Sequence, residues 1–357
     1  LSYYAVDRYL TGQHDELMSH ATPLEALYQV YRALRAKRES NELVMEDRRE
    51  YRWILNDDKQ IESVEPFEKL LSQRLVEECM IASNRCAARL LAEHGATGPF
   101  VHHPGFRSDR VEEARKFLQM HVADVSEADL NTVEGYRQVM GALSRPEQSL
   151  PLRGMVNRLL TRAQLTTKPG PHMGMALAAY TNCTSPLRKF LDFMVHLQIK
   201  LILHGEKPEL VTPEQLSALT ARLANARAAS QEAERWLAAR YLTRITSEGE
   251  TRFTGTVSHI NSSGFTVRLD SCGLEGLVDL RKDPEKFSYD KWTASLTSTT
   301  RRFQLEQPVE VEFAGIDDNG QQHQPLFVLV EGCGLKPPRP DPEPKPDSGQ
   351  ASAPGES

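Results

Sequence analysis

The hydropathy pattern changes period once, near residue 250. Before that point apolar residues recur at helical spacing, as in EALYQVYRALRAKRES, where Leu27, Val30, Tyr31 and Leu34 fall on one face. After it, RFTGTVSHINSSGFTVRLDSCGLEGLVDL alternates apolar and polar residues around turns at NSSG and SCG. PVEVEFAGIDDNGQQHQPLFVLV then supplies two more strands about a DDNG turn. A chain that passes once from a period near 3.6 to a period of 2 divides into a helix-rich part and a β part. The expected fold class is therefore α+β, with a helix-rich part over residues 1–247 and a small five-stranded barrel, of which the OB-fold is a common example, over 248–333. Residues 334–357 are Pro-rich and polar without an apolar face, and are expected to be disordered.

Within the helix-rich part, NELVMEDRREYRWILNDDKQIESVEP reads as two strands about a turn at NDDK. FEKLLSQRLVEECMIASNRCAARLLAEHGA follows as a long apolar helix closed by Gly95. On it Glu77 and Asn84 lie seven residues apart and share a face, whereas Glu78 points elsewhere. A carboxylate in such a helix is costly unless it is paired or used, so Glu77 is either bonded to a neighbouring arginine or backbone group, or contacts substrate. FVHHPGF gives a short strand before a turn. Its adjacent histidines, His102 and His103, point opposite ways on an extended segment and cannot share one ion.

Composition bounds the partners. Hydrophobic residues make up 39% of 357, enough for a sizeable core, and the net charge of −6 supplies no global field for nucleic acid. Anion binding has to come from local clusters. The five cysteines form no C-x-x-C pair and read as reduced thiols of a cytoplasmic protein. No apolar run is long enough to span a membrane, so no membrane partner is expected. The chain starts at Leu1 inside an amphipathic helical pattern, as the later part of a longer protein would.

The stretch YTNCTSPLRKF, residues 180–190, places two cations where a helix should begin. Ser185 reads as N-cap and Pro186 as the first helical residue, which puts Arg188 and Lys189 in the first turn. The helix dipole disfavours cations there. Exposed N–H groups together with a bidentate arginine make sense as a phosphate site. Arg188, Asp192 and His196 recur at intervals of four, so Asp192 either pairs with Arg188 merely to orient the helix or holds it for the anion. Leu187, Phe190, Leu191, Met194 and Val195 are expected to pack that helix. Tyr3 and Tyr4 are core aromatics or a stacking face for a base; Phe253, His259 and Phe265 are open to the same two readings on the barrel.

PGPHMGMALAAYTNCTSPLRKFLDFMVH resembles the signature of the RNase II family of exoribonucleases, the RNB catalytic domain. The matching positions are His172, Tyr180, Thr184, Ser185, Pro186, Arg188, Lys189, Phe190, Asp192 and His196; Met173 departs from the aromatic or acidic residue usual after the histidine. RLVEECMIASNRCAARLL is similar to the family's helix with a Glu-Glu pair and an asparagine, VHHPGF to its short histidine segment, and the barrel to the S1 RNA-binding domain that follows it.

That resemblance implies a 3′→5′ exoribonuclease acting as a monomer on single-stranded RNA in the cytoplasm and releasing nucleoside 5′-monophosphates. It implies that Arg188 grips a phosphate at the scissile end, that Glu77 fixes the terminal nucleotides, and that Tyr3 stacks on the terminal base. Thr184, Ser185, Lys189 and Phe265 would contact RNA, with Asn84, His103, Tyr180, Asp192 and His196 supporting the site. A base-clamping aromatic of some members corresponds to Met45, which packs on a base more weakly. The family's Mg²⁺ is held by an early cluster of aspartates that this chain lacks, so no metal ligand is expected in it. The sequence thus looks like the second half of the catalytic domain with its S1 barrel. A non-catalytic RNA-binding module and a protein-interaction scaffold are the alternative classes.

Overall fold

The computed structural model describes residues 1–13, 17–40, 50–145, 150–208, 211–317 and 323–337. Met45 and most of the Pro-rich tail lie outside the described residues. Two helices open the chain, α1 (Tyr3–Leu10) and α2 (Ala21–Glu39), followed by a hairpin of β1 (Glu50–Leu55) and β2 (Ile61–Phe67). The long helix α3 (Leu71–Glu93) comes next, then β3 (Phe100–His102), α4 (Val111–His121), α5 (Val133–Leu143), α6 (Leu152–Val156) and β4 (Gln164–Thr166), which pairs with β3. The helix-rich part closes with α7 (Phe190–Leu203) and α8 (Pro213–Ser247).

The N-terminus of α3 shows how distant sequence completes local structure. Its flanking residue is Leu70, which has no side-chain acceptor, although Gln73 Oε1 accepts from the Leu70 amide at 2.9 Å. Asp7 on α1 supplies the missing carboxylate, accepting from the Leu71 amide at 2.6 Å. That bond both neutralises the positive pole and docks α1. Facing α2, Glu78 is buried and binds Arg38 at 2.5 Å and Arg35 at 3.6 Å. The costly carboxylate of α3 is therefore Glu78; Glu77 is half-exposed, with Lys69 Nζ at 3.5 Å.

After residue 250 the strands β5 (Arg252–Asn261), β6 (Gly264–Leu269), β7 (Glu275–Asp279), β11 (Pro308–Asp317) and β12 (Gln324–Leu329) close into a barrel. Every pairing is antiparallel except β12 with β7. Between β7 and β11 the chain inserts a three-stranded sheet, β8 (Ser288–Asp290), β9 (Ser295–Thr297) and β10 (Arg302–Gln304), which the alternation pattern did not reveal. Phe265 is only 1% exposed, its ring centroid 5.0 Å from that of Phe303 on the insert. It fills the barrel core and is no surface aromatic. Leu335 exchanges backbone hydrogen bonds with Arg302, so order extends past residue 334, where a disordered tail was expected.

Several contacts among the described residues attach the barrel and its inserted sheet to the helical part. Tyr51 and Trp53 of the hairpin pack against it, sharing a core with Leu242 of α8, and Arg244 donates to the carbonyls of Ile61 and Glu62 at 2.7 and 3.1 Å. On the other side Lys116 of α4 and Lys291 lie over the Trp292 ring at 5.2 and 4.5 Å, and His121 Nε2 donates to the Trp292 carbonyl at 3.0 Å. Along α8, His323 meets Glu232 at 2.9 Å. No helix among the described residues is long and apolar enough to cross a membrane.

Candidate functional site

Residues 180–189 run between α3 and α7, and hydrogen bonds tie down Tyr180, Thr181, Cys183 and Ser185. Asn84, buried on α3, donates through Nδ2 to the Tyr180 hydroxyl at 2.9 Å and accepts from the Cys183 amide at 2.8 Å. Thr181 donates to the Pro99 carbonyl at 2.5 Å, and His196 Nε2 to the Cys183 carbonyl at 2.6 Å. Asp192 Oδ2 accepts from the Ser185 amide at 2.8 Å. Beneath them Ala88, Leu91, Phe100 and Val195 form an apolar cluster that presses α7 onto α3.

These bonds relocate the helix start. Pro186 to Arg188 form a separate turn in which the amides of Arg188 and Lys189 both donate to the Ser185 carbonyl, and α7 begins at Phe190. Lys189 is the flanking residue, extended at φ −123° and ψ 113°. Ser185 lies four residues ahead of the flanking position and so does not cap α7; its amide instead donates to Asp192 in the first turn of the helix. Asp192 bonds to backbone and makes no ion pair with Arg188, which corrects the expected i,i+4 pairing; its other oxygen is buried without a hydrogen-bond partner among the described residues. Leu187 and Phe190 are exposed, not packed.

The result is a rigid turn that holds Arg188 and Lys189 in solvent just ahead of the first amides of α7. Neither makes an ion pair with a described residue. A planar fork and an ammonium group held beside unpaired helix amides suit a phosphate.

A second layer supports the turn. The rings of His103 and His172 stack at 5.3 Å, and His172 meets Tyr180 edge-on at 5.6 Å. His103 Nδ1 accepts from the Gly174 amide at 3.1 Å, so His103 is structural, and no cluster of three His, Cys, Asp or Glu side chains suited to a metal ion occurs among the described residues. Burial raises the Tyr180 hydroxyl pKa, opposed by the Asn84 hydrogen bond; the charges of Asp192 and Glu77 reinforce the rise. Glu77 is therefore within electrostatic reach of the network, at its solvent edge. Tyr3, 49% exposed, sits at the N-terminus of α3, where its carbonyl accepts from Ser72 Oγ.

Burial pushes the His172 imidazole down from 6.5 to about 4, with the neighbouring His103 adding to the effect. The unfolded chain therefore binds a proton between these values that the folded chain refuses. Stability is intact above about pH 6.5 and falls as the pH drops towards 4. Discounted for partial exposure, the expected loss is about 2 kcal/mol. Urea midpoints measured between pH 7 and pH 4.5 check this, and His172→Asn should show a smaller slope.

Sequence reasoning thus placed Asn84, His103, Tyr180, Asp192 and His196 in the network the structure assembles. It missed Thr181 and Gln198, the latter buried on α7 with Nε2 donating to the Gly98 carbonyl. The one available signal was an amide on a helix face otherwise lined by Leu191 and Val195.

Residues 1–205 match the family model described as the RNB domain. Exoribonuclease 2 of Yersinia pseudotuberculosis is 36% identical over 246 residues, covering 68% of this chain and 37% of that protein. The Yersinia enterocolitica protein of the same name is 34% identical over 286 residues, covering 78% and 43%. The chain spans about two fifths of the length of these curated relatives. Among solved structures, Mycoplasma genitalium RNase R in complex with ribose-methylated single-stranded RNA superposes with a TM-score of 0.71 at 17% identity, covering 92% of this chain and 53% of that one. Yeast Ssd1, a pseudonuclease, superposes at 0.53 and 19% identity, covering 84% and 38%.

Proposed function

Because the chain belongs to the RNB-domain family of exoribonuclease relatives, we propose that it is the RNA-gripping part of a 3′→5′ exoribonuclease acting on single-stranded RNA and releasing nucleoside 5′-monophosphates. The observation that carries this reading is the locked turn presenting Arg188 and Lys189 without ion-pair partners among the described residues. Arg188 binds the phosphate at the scissile end. Lys189, with Thr184 and Ser185 behind it, extends the grip along the backbone. Glu77 fixes the terminal nucleotides from the edge of the network, and Tyr3 offers an exposed ring to the terminal base.

Residues 1–247 form the later part of the RNB domain in this reading, and 248–333 an S1-type OB barrel. The closed five-stranded order with one parallel pair supports the second assignment. Mg²⁺ is the cofactor inferred for the whole enzyme. The described residues do not fit such an ion, because no three candidate ligands converge. Its ligands are therefore assigned outside them, and no step is derived through it.

The same observation favours a second reading, a non-catalytic RNA-binding module, as in a pseudonuclease. The deciding experiment incubates the purified chain with 5′-labelled single-stranded RNA and Mg²⁺, and follows binding and shortening together. Binding without shortening is the expected outcome for this chain. Restoration of shortening by an aspartate-bearing RNB segment supports the exoribonuclease, and continued inactivity supports the module. Absence of binding overturns both.

A further inference from the structure

Asp192 and His196 fix α7 to the turn ahead of it, since their partners are the Ser185 amide and the Cys183 carbonyl. Neither bond ties helix and turn, as a unit, to the rest of the fold. Part of that task falls to the apolar cluster of Ala88, Leu91, Phe100 and Val195. Apolar burial has no direction. It presses α7 down without deciding its rotation or how far it slides along its axis.

Gln198 supplies the direction. It is fully buried on a helix that is otherwise mostly apolar, and its Nε2 donates to the Gly98 carbonyl, outside the turn. Gly98 is itself a fixed point. Its backbone is left-handed, at φ +79°, and a Cβ there would stand 2.6 Å from the Thr166 carbonyl oxygen of β4. From Gly98 the chain runs directly beneath the start of the turn. The Pro99 carbonyl accepts from Thr181, and the Val101 amide donates to the Tyr180 carbonyl at 2.8 Å. A ring therefore closes, from the turn along α7 to Gln198, across to Gly98, and back through Pro99 and Val101 to Thr181 and Tyr180. The side chain carries a cost as well. Gln198 Oε1 is buried without a hydrogen-bond partner among the described residues, a desolvation that a methionine of the same length would not incur. The best-attested role of polar groups kept inside at such a cost is to fix register.

We infer that Gln198 is a positioning residue for Arg188: by pinning α7 to the Gly98 carbonyl it sets the rotation of the helix, and with it the place at which the turn presents the guanidinium. Gln198 touches no phosphate itself and acts only through the helix. This inference rests on the phosphate-gripping reading of the turn.

The test follows single-turnover shortening of 5′-labelled oligouridine by the intact enzyme, this chain together with the aspartate-bearing RNB segment. Gln198→Met keeps the length of the side chain but cannot donate to Gly98. It should lower the rate about 10- to 100-fold, the scale on which small misplacements of a positioned group act, with the dissociation constant for RNA nearly unchanged. An Arg188→Ala background separates positioning from general damage. There Gln198→Met should have no further effect, because the group it positions is gone. Gln198→Leu removes the same bond with a smaller side chain and should couple to Arg188 in the same way. Parental rates in both Gln198 variants, or an equal loss with and without Arg188, would overturn the inference. Failure of both variants to fold would make Gln198 a structural residue and overturn it too. If Arg188→Ala turns over as the parent does, or the intact enzyme binds RNA without shortening it, the reading of the turn falls and this inference falls with it.

Discussion

Arg188→Ala in the intact enzyme is expected to lower turnover about 10²- to 10³-fold, the usual cost of removing one donor aimed at developing charge. RNA affinity should fall far less. Several groups share the ground-state grip on the backbone, and Lys189 still offers its charge beside the first amides of α7. In the proposed role only the arginine brings a planar fork to the oxygens of a single phosphate, and the backbone turn that carries it is held by Asn84, Asp192 and His196. Arg188→Lys should recover little, because an ammonium group restores charge without the fork. Single-turnover rates and dissociation constants measured on the same variants decide the matter. An equal loss in both would contradict the assigned role.

Glu78→Ala should lower folding stability by about 3 kcal/mol, the scale on which breaking a buried ion pair acts. Its side chain is 4% exposed and meets Arg38 at 2.5 Å and Arg35 at 3.6 Å. Removal leaves two guanidinium groups without their shared acceptor, and Arg38 Nε is already buried without a partner among the described residues. Glu78→Gln keeps the volume and should cost nearly as much, because the charge is what neutralises the arginines. The neighbouring Glu77→Gln should cost less than about 1 kcal/mol, since that carboxylate is half-exposed and its lysine partner lies at 3.5 Å. Urea unfolding of the three variants separates these expectations.

The contrast between Glu77 and Glu78 shows where sequence was informative. That a carboxylate in α3 needed a reason was legible, because burial of charge is costly in any context. Which of the two adjacent residues was buried depended on α2, forty residues away, and no local pattern reports that. The same holds for the start of α7. Ser185-Pro186 carries the local signals of a helix start, but a separate turn forms there, with the Ser185 amide on Asp192, and α7 begins only at Phe190. Strands were found wherever alternation was clean, as in the barrel. The inserted sheet of three-residue strands escaped, because three residues are too few to show a period. Phe265 was ambiguous for another reason: on a closed barrel, inside and outside differ by one residue, and only the partner ring of Phe303 decides between them.

The barrel is held by the hairpin with α8, by the Trp292 clamp on α4, and by the His323–Glu232 contact along α8. These supports tie it to different elements of the chain, the hairpin, α4 and α8. Loss of any one of them therefore leaves the barrel tied to the rest of the chain through the others.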